Sequence, residues 1–175
     1  DQQIHYSVSK FKALSKRSFV VASFGKTFHN TGWKIGYCLA PEPLMNEFKK
    51  VHQYNGFSVN NPIQKALAIY LATPENYLNL SRFYQKKRDL FLELIKDSKF
   101  KYTPSEGTYF QMLNFSDIAE LSDIDFTEKL TIEHKLATIP VSVFNKNRLD
   151  DKQIRVCFAK TNEVLISAAK IINAI

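Results

Sequence analysis

Two short apolar runs constrain this chain most: SFVVASF at residues 18–24 and KIGYCLA at residues 34–40. Their β-branched and aromatic content reads them as strands, the first of them buried. The segment spanning them, SFGKTFHNTGWKIGY, holds Gly25, Gly32 and Gly36, which are three of the chain's five glycines. It also holds the only tryptophan, Trp33, and two lysines eight positions apart, Lys26 and Lys34. A fold that returns so quickly from one strand to the next must turn tightly, and glycine serves that need.

Downstream, Pro41 and Pro43 break the chain. PLMNEFKKVHQY then reads as a helix, with Leu44, Phe48 and Val51 recurring at spacings of four and three. NGFSVNNP (residues 55–62) reads as a polar loop centred on Phe57, and IQKALAIYLA as another helix. TPEN (73–76) is a helix start in which Thr73 caps, Pro74 fits the first turn and Glu75 favours the positive end. The helix after it is expected from Tyr77 to about Asp97, and a helix of that length suits a junction between lobes. The boundary is therefore expected after Thr73, giving domains 1–73 and 74–175. The second domain reads GTYFQMLNF (strand), DFTEKLTIEHKL (helix), TIPVSVF (strand), QIRVCFA (strand) and a terminal helix capped by Asn162. Strands alternating with helices argue an α/β first part and a smaller α+β second part.

Composition narrows the class. With 45% hydrophobic and 13% aromatic residues the chain can bury a sizeable core. No apolar run approaches the ~18 residues of a membrane helix, and no signal peptide is visible in DQQIHYSVSK. The chain starts without methionine, as expected of a piece whose N-terminal part lies elsewhere. The net charge of +7 raises nucleic-acid binding, but the lysines and arginines are scattered and no nucleic-acid motif accompanies them, so they read as solvated surface charge. Cys38 and Cys157 lack metal spacing or a disulfide framework and read as buried, inert thiols of a reducing cytoplasm. His29 and His52 show no metal spacing and read as structural or surface residues.

Lys26 lies just past a strand, where α/β folds place their sites. It is either a solvated surface lysine or an amine poised to form a Schiff base with a cofactor aldehyde. The second role requires a neutral amine held out of water, and Phe24, Phe28 and Trp33 are the neighbours that would dry it. Ser23 lies three positions before Lys26 and Lys34 eight after. A hydroxyl and a cation so placed could hold a phosphate, while Gly32 and Gly36 allow close backbone approach.

SFGKTFHNTGWKIGY resembles the lysine motif of the fold-type I pyridoxal-phosphate-dependent aminotransferases of class I/II, with serine, Schiff-base lysine, a later basic residue and Gly-Tyr in that order. Many members have arginine where this chain has Lys34. The longer wording GKTFHNTGWKIGY…HQY…FSVNNPIQ is similar to the branch containing kynurenine, glutamine and methionine aminotransferases. SEGTYFQMLNFS, TIPVSVF and IRVCFAK resemble that family's small-domain segments, so the likeness spans the whole chain. It implies the C-terminal part of a large domain with a mixed, mostly parallel sheet, followed by the α+β small domain. It implies pyridoxal 5′-phosphate held by Lys26, Ser23 and Lys34, and a substrate α-carboxylate bound by Arg155, whose planar fork suits a carboxylate. Without that context Arg155 reads as a surface strand arginine.

The resemblance further implies a cytoplasmic homodimer acting on an amino acid and a 2-oxo acid, with no nucleic acid, membrane or metal. Phe57 would reach toward the partner subunit; packing on its own domain is the alternative. Tyr109 follows Gly107 and Thr108 near the inferred substrate side, and a core tyrosine is the simpler reading. DQQIHYSVSKFKAL resembles the stretch just after the family's ring-oxygen tyrosine, so the residues that stack on the cofactor and pair its ring nitrogen would lie upstream. These residues by themselves are therefore expected to transaminate very weakly, because the ring nitrogen needs its carboxylate partner. Two other activities fit the same resemblance: a carbon–sulfur β-lyase, and the ligand-sensing lobe of a transcription regulator.

Overall fold

The computed structural model describes residues 4–175, so the first three residues of DQQIHYSVSKFKAL lie outside the described residues. The chain divides into two compact units, one running to Leu80 and the other Ser81–Ile175. The boundary expected from sequence was after Thr73.

The first unit opens with a 3-10 turn, Val8–Lys10, and α1 (Lys12–Ser15). β1 (Val20–Ser23) runs straight into a single helical turn, α2 (Phe24–Thr27). A 3-10 turn, Thr31–Trp33, then leads to β2 (Gly36–Leu39). The two strands pair antiparallel, Val20 opposite Leu39 and Ser23 opposite Gly36. α3 (Glu42–Asn55) follows Pro41, and α4 (Asn61–Leu71) is capped by Asn60, whose side chain accepts a hydrogen bond from the Ile63 amide at 3.1 Å. α5 (Glu75–Leu78) is one turn.

The second unit holds α6 (Leu80–Ile95), β3 (Phe110–Asn114), α7 (Asp123–His134), β4 (Ile139–Pro140), β5 (Gln153–Cys157) and α8 (Asn162–Ala174). Its sheet has the order β3-β5-β4, antiparallel throughout. Alternation sends Leu113, Ile154 and Val156 into the core, against Phe91 and Ile95 of α6, Phe126 and Leu130 of α7, and Leu165 and Ile172 of α8. Phe110, Met112, Arg155 and Cys157 take the opposite, half-buried face. Tyr109 packs against the core, as the simpler reading held.

Several local expectations are corrected. β1 is not buried: Val21 is 76% exposed, and Phe19 and Leu39 are exposed beside it. The two strands of this unit pair only with each other, and no parallel pair occurs among the described residues. Both cysteines are half-buried rather than buried, and neither forms a disulfide. Of TIPVSVF only Ile139 and Pro140 are strand, and Ser142–Phe144 is a 3-10 turn. The long helix is two: α5 stops at Asn79 before α6 begins. Pro74, not Thr73, occupies the cap position of α5, and no side chain bonds there. Thr161, not Asn162, caps α8, because its extended backbone lets the hydroxyl accept from the Val164 amide.

Candidate functional site

The turn from β1 into α2 is built by Ser23. Its backbone is extended (φ −111°, ψ 134°) and its hydroxyl accepts from the Gly25 amide at 3.1 Å, closing the helical turn that carries Lys26. The hydroxyl proton remains available to donate elsewhere. Gly25 is buried, and a Cβ there would press on the Thr31 backbone at 3.1 Å. The segment then returns through Thr31–Trp33 to Lys34, whose backbone is left-handed (φ 53°, ψ 43°). That conformation reverses the chain and hands it to β2.

The result is an open cleft of about 520 Å³ lined by Ser23, Gly25, Lys26, Thr31, Lys34 and Gly36, among others. Three residues singled out from sequence spacing, Ser23, Lys26 and Lys34, thus come together. Neither lysine has an ion-pair or hydrogen-bond partner among the described residues. Two unanswered amines and a free hydroxyl proton on one cleft fit a ligand bearing an aldehyde and a phosphate. Gly36 keeps the cleft tight, since a Cβ there would run into the Ala22 carbonyl oxygen across the ladder. Gly32 has open space and an ordinary φ, so nothing in the structure requires a glycine there.

The expected drying of Lys26 by aromatics is corrected. Lys26 is exposed, and Phe24 and Phe28 line a neighbouring cleft of about 420 Å³ together with Tyr37, Leu71 and Tyr77. The cause is helical spacing. Phe24 and Phe28, four apart, stack on one face (centroids 5.9 Å), whereas Lys26 is two residues on and points away from both. Trp33 is 46% exposed and does not line the lysine cleft. His52 stacks on Phe48 at 5.3 Å, a structural role as read. Phe57 is 84% exposed with a left-handed backbone (φ 53°), following the C-terminus of α3, and packs on none of the described rings.

In the second unit Arg155 sits on β5, the middle strand, opposite Met112 on β3 and Ile139 on β4. Two aromatic rings pack on its guanidinium, Phe110 with the centroid 4.1 Å from Cζ and Phe144 at 4.9 Å. Its Nε is enclosed and has no hydrogen-bond partner, and no carboxylate pairs with it among the described residues. Sequence reasoning missed Phe110 and Phe144. The only signals were an aromatic inside GTYFQMLNF and one closing TIPVSVF, a run whose SVF reads as strand from sequence. It also missed the carboxylate that fixes that turn: Asp123, 1% exposed, accepts from the Ser142 amide and hydroxyl, both at 2.7 Å.

No group of three or more metal-ligating side chains occurs among the described residues. No helix among them is long and apolar enough to cross a membrane.

Residues 4–172 match the family model for aminotransferase class I and II, and the chain belongs to that family. It is 48% identical over 170 residues to a methionine aminotransferase of Escherichia coli, a match covering 97% of this chain and 44% of the relative. It is 30% identical to a kynurenine–oxoglutarate transaminase of Dictyostelium discoideum, over 96% of this chain and 44% of that protein. A solved E. coli structure described as having a methionine aminotransferase function superposes with a TM-score of 0.95 at 46% identity, covering all of this chain and 47% of the other. The chain therefore spans a little under half the length of the proteins it matches.

Proposed function

We propose that this chain supplies the cofactor-anchoring lysine and the carboxylate-binding arginine of a pyridoxal-phosphate-dependent aminotransferase that moves an amino group from an amino acid to a 2-oxo acid. The observation that carries the reading is the meeting of Ser23, Lys26 and Lys34 on one cleft, with neither ammonium group paired among the described residues. Pyridoxal 5′-phosphate, when bound, would supply an electron sink for the pair left at the substrate's Cα. Lys26 would hold it covalently through Nζ. Lys34 would stand as a fixed cation on the phosphate, and the Ser23 hydroxyl, already accepting from Gly25, would donate its proton to a phosphate oxygen. When not holding the cofactor, Lys26 Nζ would be the general base for the proton on the substrate's Cα. Arg155 would bind the substrate's α-carboxylate through its two terminal nitrogens, which no acceptor among the described residues occupies.

The similarity to methionine and kynurenine aminotransferases supports methionine, glutamine or aromatic amino acids as donors. A homodimer is the assembly proposed, and the exposed ring of Phe57 supports a contact with a partner subunit. A cytoplasmic setting is proposed with it. Adding pyridoxal phosphate to the wild-type protein is expected to produce an absorbance band near the visible edge, and Lys26→Ala is expected to abolish it. Retention of that band in the variant would overturn the assignment. Amino transfer should depend on an added 2-oxo acid. Pyruvate and ammonia released without one would favour the β-lyase instead.

A further inference from the structure

We propose that Phe110 and Phe144 are positioning residues for the Arg155 guanidinium, and that the buried carboxylate of Asp123 holds Phe144 in place through Ser142. The inference rests on Arg155's role as the carboxylate-binding residue, and it adds how that residue is kept ready.

An arginine that must grip a carboxylate bidentately has to be oriented without spending its own N–H groups. A carboxylate or carbonyl anchor would orient it but would compete with the substrate for those donors. Ring faces attract the cation through their quadrupoles and take no N–H. Arg155 meets this requirement: two rings lie within 5 Å of Cζ, and no acceptor bonds the guanidinium among the described residues. Nε is enclosed and unbonded among the described residues, so the nitrogens left to a ligand are the terminal ones.

The two rings come from different elements. Phe110 is diagonal to Arg155 across the β3–β5 ladder, where Phe110 faces Cys157 and Met112 faces Arg155. Its position is set by the sheet register. Phe144 has no such support, for it ends a 3-10 turn and is 61% exposed, too open to be held by burial. What holds its turn is Ser142, two residues earlier, itself 3% exposed and bonded twice to Asp123. Asp123 is fixed in turn, because its amide donates to the Asp150 carboxylate at 3.0 Å. A buried, doubly bonded carboxylate supporting a surface turn has an evident purpose if the exposed ring on that turn has a task.

The test uses the whole chain, isotope-labelled, with NMR signals from the side-chain Nε–H of its five arginines. Arg155→Lys identifies the Arg155 signal by its loss. That proton is expected upfield of the other arginines' and slow to exchange, as ring current and enclosure require. Phe144→Leu, which keeps bulk but removes the ring, is expected to shift the signal toward the others and speed its exchange. Phe144→Tyr should restore the wild-type position. Ser142→Ala should move it in the same direction as Phe144→Leu by a second route, with the backbone fingerprint reporting that the fold is intact. Pyruvate is then titrated as the carboxylate probe. The wild-type Arg155 signal should respond, and Phe144→Leu should weaken the response about two- to fivefold, the scale of one exposed cation–ring contact. An unchanged Phe144→Leu response in a protein whose wild type binds pyruvate overturns the positioning role alone. A wild-type Arg155 signal that no pyruvate concentration perturbs overturns the carboxylate role of Arg155, and the positioning claim with it.

Discussion

At Gly36 the returning strand passes so close to β1 that a methyl group would strike the Ala22 carbonyl. Gly36→Ala is expected to destabilise the first unit by about 1–3 kcal/mol, the usual cost of overpacking, as a lowered urea midpoint. Lys34 carries the opposite tension, since its left-handed backbone (φ 53°) suits glycine better than lysine. Lys34→Gly should stabilise the chain by up to about 1 kcal/mol while weakening retention of pyridoxal phosphate. Loss of stability together with unchanged retention would show the conformation is not strained and the cation not used. Strain kept at a residue with a proposed charge role is the pattern expected where function outweighs comfort. The grouping of Ser23, Lys26 and Lys34 was legible in sequence, because spacing along one short turn leaves few ways to place them apart. The exposure of Lys26 was not. Which face of α2 each side chain takes depends on a helical turn that nine mixed residues between two strands do not announce.

At the scale of elements, the caps and turns decide more than the apolar pattern did. Thr161, not Asn162, closes the start of α8. Thr161→Ala should cost about 1 kcal/mol in a urea melt, whereas Asn162→Ala, which loses only an exposed bond from Lys87, should cost less than half of that. In the same helix turn the Glu163 carboxyl is held below its usual range, first by a backbone hydrogen bond and then by the Thr161 hydroxyl. A depressed carboxylate contributes above the unfolded-state value and loses its contribution as pH falls through the folded one. Glu163→Gln should therefore shrink the acid-side fall in the urea midpoint. A fall of undiminished size would show that Glu163 is not the group responsible. Most helices and four of the five sequence-expected strands were readable from periodicity and β-branching. TIPVSVF was not, because its strand pairing ends where Asp123, far away in sequence, binds Ser142 and bends the chain into a turn. A tertiary contact of that kind leaves no local signature.

Across the whole molecule the core is unevenly distributed. All but two of the buried apolar side chains, Ile35 and Leu67, belong to the second unit. The first unit instead exposes Phe19, Val21, Leu39 and Phe57. Hydrogen exchange should accordingly find the longest-lived amides in β3, β5, α6 and α8, with β1 and β2 exchanging well before them. Equal protection in both units would contradict that division. The exposed apolar strand pair is also expected to bind hydrophobic dye, and Val21→Lys should reduce that binding. The broad architecture was readable from the alternation of elements, but the exposure of β1 was not, since an apolar run signals what a strand can bury and not what is there to cover it. The most direct test of the central claim is borohydride trapping of the chain with limiting pyridoxal phosphate, followed by peptide mapping. Covalent label is expected on Lys26 ahead of every other lysine, with Lys34→Ala and Ser23→Ala each lowering that preference. Label spread over the exposed lysines, with no preference for Lys26, would contradict it.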